Sequence, residues 1–343
     1  MSEHDRLLYV DGLRGLAVLL MVLVHAAATW EPNLSGSWIL FGVIVSAAGG
    51  LAAPLFVALL GWGLAQKHLF FPSRLWRAGF LFICQFVVNL SAPHLFEPWT
   101  PGVLSLMGVL MLLEPTWRTF QTQRKQLQQT FFFAFGIVCL FTILIGDWQG
   151  PSQWDFRVST ESLTVLVQHV LITGLYPVFP WVLFAWFGTA VASIHDEAKR
   201  HRWLLTSSIG GLGISALVLG SSIIDGRPWA LPTGDASLTF FPANAAFLVA
   251  AITGLSLLWW CAERFSLIHR LADLGRVSLT VYVLHFLPFS VFHAYDEMHH
   301  WHPAFTGLVV VGYTTTWVLV GTWWHRRSSS LTLEAWMRRL EPT

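Results

Sequence analysis

Residues 9–30 read YVDGLRGLAVLLMVLVHAAATW, an apolar run long enough to cross a bilayer that still carries Arg14 and His25. At about 100° per residue, eleven positions turn a helix through three turns plus about 20°, so the two side chains share one stripe. At about 1.5 Å rise per residue they stand roughly 16 Å apart along the axis. Arg14 is then expected near one membrane face and His25 at or just past the midplane. An ionisable group at that depth is expensive unless it faces protein or water, so it marks a functional site by default. The rest of the chain reads as a shell around this stripe.

The composition agrees. Of 343 residues, 55% are hydrophobic and 11% charged, against about 25% charged in a typical soluble domain. Mean hydropathy is +0.58. Apolar runs of about 20 residues recur along the whole length, which predicts one all-α, polytopic membrane domain over 1–343. The net charge of +1 makes no electrostatic case for nucleic acid. Cys84, Cys139 and Cys261 each fall inside an apolar run and read as packing residues. The nineteen tryptophans suit interface belts and cavity walls.

Ten spans are predicted, at 12–30, 38–66, 74–92, 101–117, 129–146, 177–195, 203–223, 240–262, 277–295 and 303–325. The second is too long for one straight crossing, and Gly49-Gly50 with Pro54 suggests a break. The apolar stretch 161–175 is short for a span and reads as interfacial or re-entrant. With the N-terminus cytoplasmic, ten spans leave both termini inside. Of twenty Lys and Arg, only Arg157 and Arg227 then fall outside, a strong positive-inside signal. The rival is a signal peptide over 1–28 cleaved after Ala26-Ala27-Ala28. A histidine ending its apolar region and an aspartate before it are atypical of one.

The motifs each have a bland reading. Arg14 alone is a cytoplasmic anchor paired with Asp11, and His25 alone is a buried histidine bonded to a neighbouring helix. Together they suggest a polar channel with the imidazole as general base or nucleophile. Arg74 and Arg77, at i and i+3, either set topology or clamp a phosphate-bearing ligand bidentately. Ser278, Tyr282 and His285 form a polar stripe at i, i+4 and i+7 that faces protein or a cavity. Gln85, Asn89 and Asn244 read as packing. His94, Glu97 and Asp147 lie near outside ends of spans, where one could orient an imidazole. His299, His300 and His302 make a weak metal pattern, and no metal is expected. The chain has no G-x-S-x-G elbow, H-E-x-x-H helix or Walker A loop, and no histidine is followed five residues later by aspartate.

With those residues in hand, DGLRGLAVLLMVLVH resembles the first helix of the acyltransferase 3 family and of related heparan-α-glucosaminide N-acetyltransferase-like proteins. An arginine, ten residues and a histidine match Arg14 and His25, and an RxxR at the third helix matches Arg74 and Arg77. APLFVALLGWGLA at 53–65, PGVLSLMGV at 101–109, LYPVFPWVLFAWFG at 175–188, FFPANAAFLVAAITGLSLL at 240–258, LGRVSLTVYVLH at 274–285 and LTLEAWMRRL at 331–340 resemble the heparan-acetyltransferase side. In its lysosomal branch the position of His25 is asparagine and the active histidine lies further on. Here no histidine follows His25 before His68, so His25 takes the role.

The resemblance implies about ten helices around a central cavity, both termini cytoplasmic, in the cell membrane. It implies an acyl-CoA donor, usually acetyl-CoA, with Arg14, Arg74 and Arg77 holding its phosphates. The acyl group would pass at His25 to a hydroxyl or amine of an extracytoplasmic acceptor such as a glycan. Tyr282, His285 and Ser278 would line the cavity or steady the oxyanion. Trp148, Trp154, Trp229 and Trp301 would stack on a sugar or anchor the interface. A homo-oligomer is compatible with this reading. An exporter of a small anionic solute would use the same cations and histidine, but it favours repeat symmetry, and the break near Gly49 to Pro54 has no partner. A non-catalytic scaffold leaves His25 unexplained.

Overall fold

The computed structural model describes residues 7–32, 36–67, 69–122, 127–299 and 301–342. Arg6, His68, Arg124, Lys125 and His300 therefore lie outside the described residues, as does the side chain of Arg118. The first five helices are α1 (Leu8–Trp30), α2 (Ile39–Gln66), α3 (Phe71–Ser91), α4 (Val103–Thr122) and α5 (Leu127–Leu144). Then come α6 (Trp154–Val158), α7 (Leu163–Gln168), α8 (Val178–Ala192), α9 (Glu197–Ile224) and α10 (Ala245–Arg264). The last are α11 (Ala272–Gly275), α12 (Ser278–Leu284), α13 (Phe289–His299), α14 (Pro303–Ser328) and α15 (Leu333–Arg339). Two short strands, Ala230–Leu231 and Leu238–Thr239, pair in parallel.

The protein is an all-α membrane protein. Among the described residues, five helices are long and apolar enough to cross a bilayer unaided, or up to seven spans if each of two bent pairs counts as one. Each of the ten predicted segments carries a helix. The outward faces are apolar, as lipid requires: only 11% of the apolar window of α9 is buried, and Leu217, Ile223 and Ile224 point outward.

Two expectations change. The predicted break in the second segment is absent, and α2 runs unbroken for 28 residues with Pro54 inside it. Pro54 removes one N–H, but interrupting the helix in hydrocarbon would strand several more polar groups. The ninth segment is instead the broken one, with α12 and α13 separated by the turn 285–288. Pro288 has no N–H to give the Leu284 carbonyl, and the chain tightens. Phe286 N–H donates to Val283, Leu287 N–H to Leu284 and Phe289 N–H to Phe286, each three residues back.

The chain divides into two compact units. The first comprises residues 1–56, 86–98 and 261–341. Its centre is α1, which packs on the segment 268–275 and on α14. The approach is backbone to backbone. A Cβ on Gly275 would land on the Asp11 carbonyl oxygen, and one on Gly12 or Gly15 would strike the carbonyls of Ile268 and Leu271. The DGLRG and LGR stretches are therefore two halves of one contact. The second unit comprises residues 57–85, 99–260 and 342–343. It is built around α8, where Trp181, Phe184 and Phe187 are fully buried. Gly188 fits against the Ala58 carbonyl of α2, and Gly61 against that of Ala185.

Gly275→Ala is expected to destabilise the protein by about 1–3 kcal/mol through overpacking. Gly50→Ala, whose added Cβ meets nothing within 4 Å, should be neutral or stabilise α2 by up to about 1 kcal/mol. Thermal unfolding in detergent followed by tryptophan fluorescence checks the pair, and equal shifts would refute the close-contact account.

Candidate active site

The site lies in the first unit, where α1 meets α12 and the turn after it. His25, on the inner face of α1, is 9% exposed, and His285, just past the end of α12, is fully buried. Nδ1 of His25 lies 3.1 Å from Nε2 of His285, with the rings 15° from parallel. Nδ1 of His285 lies 3.1 Å from the Val281 carbonyl oxygen. A carbonyl only accepts, so Nδ1 of a neutral His285 carries the proton and its Nε2 a lone pair. That lone pair accepts from Nδ1–H of His25. Nε2 of His25 is left unprotonated, which is the state of a general base.

Aromatic rings enclose the pair. Phe286 lies 4.4 Å from the His25 ring and 4.2 Å from the His285 ring. Tyr282 meets both edge-on at 6.3 and 5.8 Å. The Tyr313 hydroxyl donates to the His285 carbonyl oxygen and steadies the turn. Of the predicted stripe, Tyr282 and His285 thus reach His25, while Ser278 is the first residue of α12 and half-buried.

Glu334 of α15 holds the other end of α12. Its Oε1 accepts from the N–H groups of Leu279, at 2.7 Å, and Thr280, at 3.3 Å. The Thr280 hydroxyl donates to Oε2 at 2.6 Å. This carboxylate satisfies N–H groups that a helix start leaves open. Nothing in a local window pointed to it, because its partners lie more than fifty residues earlier.

Arg14 is on α1 as predicted, eleven residues before His25, and donates to Asp11 at 2.9 Å. Asp11 also takes Arg276 at 3.2 Å. Asp273 joins Arg276 at 3.6 Å and Arg326 at 2.8 Å, so charges of alternating sign run along this end of the unit.

One turn beyond His25, Thr29 meets a second histidine pair. Its hydroxyl lies 3.3 Å from Nε2 of His94, whose ring stacks on His293 at 4.2 Å. Burial and then His293 push His94 down to about 4, so it is neutral near pH 7.

Arg74 and Arg77 belong to the second unit. Arg74 is buried and donates to Glu114 at 3.0 Å, while Arg77 is half-buried. A lone Glu closing the apolar run 103–113 was the available signal for Glu114. Arg157 is also buried, and its amino groups donate to the carbonyls of Gln149, Gly150, Thr173 and Gly174. Burial pulls it down to about 10, and it fastens the loop before α6 to the turn after α7.

The remaining polar candidates take structural positions. Gln85 accepts from Leu104 N–H, Asn89 donates to Pro98, and Asn244 caps α10 through Phe247 N–H. His302 caps α14 through Ala304 N–H. Trp148 is exposed, Trp154 packs on Phe241, and Trp301 packs on Tyr295 and Phe305. Among the described residues no three His, Cys, Asp or Glu side chains converge as metal ligands.

An oriented imidazole base buried beside a second imidazole suits acyl transfer, and residues 7–323 match the acyltransferase 3 family, described as an acyltransferase domain. The chain belongs to the acyltransferase 3 family. No curated protein matches it. Both histidines of the pair, Arg14, Arg74 and Arg77 all lie inside the matched residues of this membrane acyltransferase, and α15 with Glu334 lies beyond them.

His285→Leu leaves Nδ1–H of His25 without its acceptor. Acyl-transfer turnover is expected to fall about 100-fold. Initial rates on monodisperse protein test this, and a rate within about threefold of wild type would remove His285 from the relay.

Proposed function

We propose that this acyltransferase carries an acyl group, typically acetyl, from cytoplasmic acyl-CoA to a hydroxyl or amine of an extracytoplasmic carbohydrate. The observation that carries the proposal is the buried His25–His285 pair with Nε2 of His25 left basic, in a chain of the acyltransferase 3 family. The charge pattern supports the direction: a layout of ten crossings with both termini cytoplasmic would leave only Arg157 and Arg227 of the Lys and Arg residues outside.

In this reading Nε2 of His25 takes the proton of the acceptor as its oxygen or nitrogen attacks the thioester carbonyl. The imidazolium that forms keeps its Nδ1–H on His285, which stabilises the charge. The tetrahedral intermediate collapses, the carbon–sulfur bond breaks, and the departing thiolate takes the proton back from His25. The Tyr282 hydroxyl is the candidate donor to the oxyanion. Arg14 is held by Asp11 and Arg74 by Glu114, so each guanidinium, a candidate phosphate ligand, is oriented within its own unit. Arg77, one turn along α3 from Arg74, completes the cationic pair.

Purified protein incubated with radiolabelled acetyl-CoA and an extracytoplasmic glycan extract should release CoA and label the glycan. His25→Ala should lower that rate by at least about 100-fold. Absence of both transfer and CoA release in wild type, with His25→Ala indistinguishable from it, would sink the enzyme mechanism. The Arg74→Ala/Arg77→Ala variant should bind CoA more weakly, with a shallower dependence on salt than wild type. Unchanged CoA affinity would remove the clamp from the mechanism.

A further inference from the structure

A cavity of about 390 Å³ opens on α14, lined by Val318, Leu319, Thr322, Trp323, Arg326 and Arg327. None of these residues takes part in the chemistry above. Their order along the helix is informative. Over about 14 Å of axis the lining passes from branched aliphatic, through hydroxyl and indole, to two guanidiniums. Leu319 and Trp323 are more than 60% exposed, and the Arg326 side chain is 72% exposed. In a helix that spans a membrane, a change from Leu through Trp to Arg marks the level where acyl chains give way to headgroups.

The cations are available. Arg326 reaches Asp273 through Nε, which leaves its outward amino groups without a partner among the described residues. Arg327 makes no ion pair among the described residues and is exposed. Two adjacent guanidiniums suit the oxygens of a phosphate, and the apolar half of the cavity suits the chain attached to it. A free inorganic anion would use the first half alone.

We propose that this cavity is a binding site for one anionic glycerophospholipid, with its phosphate on Arg326 and Arg327, its glycerol against Thr322 and Trp323, and an acyl chain along Val318 and Leu319. The site serves either leaflet and does not depend on the direction of acyl transfer. Through Asp273, Arg276 and Asp11, Arg326 ends the chain of alternating charges that begins at Arg14, so the lipid is seated at one end of the network that reaches the helix of His25.

Native mass spectrometry of the delipidated full-length protein, titrated with phosphatidylglycerol, phosphatidylcholine or coenzyme A, tests the site. Phosphatidylglycerol should form a one-lipid adduct at about tenfold lower concentration than phosphatidylcholine. Arg327→Gln should raise its half-saturation on the order of fivefold. Leu319→Trp, which fills the groove and leaves every charge in place, should also weaken it severalfold. Equal binding of the two lipids, or unchanged phosphatidylglycerol binding in either variant, would overturn the proposal. Displacement of the lipid by coenzyme A alone would reassign the cavity to a nucleotide and overturn it as well.

Discussion

A neutral imidazole inside a lipid-spanning bundle has one donor and one acceptor to satisfy, and no bulk water to satisfy them. The core of this protein meets that constraint in series. His25 gives its Nδ1–H to His285, and His285 gives its own to the Val281 carbonyl. The series ends on backbone, so the protons have only one consistent arrangement in the neutral pair. The nitrogen left basic is Nε2 of His25. Satisfying buried polarity thus also fixes which imidazole nitrogen is left unprotonated.

That series depends on backbone being delivered at the right angle. Pro288 withholds an N–H, the turn after α12 tightens, and His285 is carried on that tightened turn. Glu334 secures the opposite end of α12 by accepting the N–H groups of Leu279 and Thr280. The glycines at 12, 15 and 275 let α1 approach to backbone contact, which brings His25 within reach. Exposed ion pairs such as Arg276 with Asp11 contribute little stability each, so the charges at the foot of α1 orient side chains more than they hold helices together.

Buried cations are resolved differently in the second unit. Arg74 has a carboxylate, Glu114, whereas among the described residues Arg157 has only carbonyls. Carbonyl dipoles can hold a guanidinium in place but do not neutralise it, which is why burial shifts Arg157 downward. The outer loops of that unit are thereby tied together by one charge.

Hydropathy over about twenty residues and a 3.6-residue period are local properties, so they were readable in the chain itself. They placed ten helical segments and the shared stripe of Arg14 and His25, and α1 keeps that stripe intact because it runs unbroken from Leu8 to Trp30. Pro54 and Pro288 show the edge of that legibility. Both are prolines in apolar runs, but only the second follows the end of its helix, at the turn 285–288. The partners of Glu114, Arg157 and Glu334 were unreadable as well, because packing rather than local sequence sets them. What the tertiary structure alone decided is the proton arrangement of the histidine pair, with the lone pair on Nε2 of His25. It rests on two rings separated by 260 positions in sequence that bond nitrogen to nitrogen, the second ring donating its other N–H to the carbonyl four residues before it. No pattern along a chain specifies a contact of that range, because packing creates it.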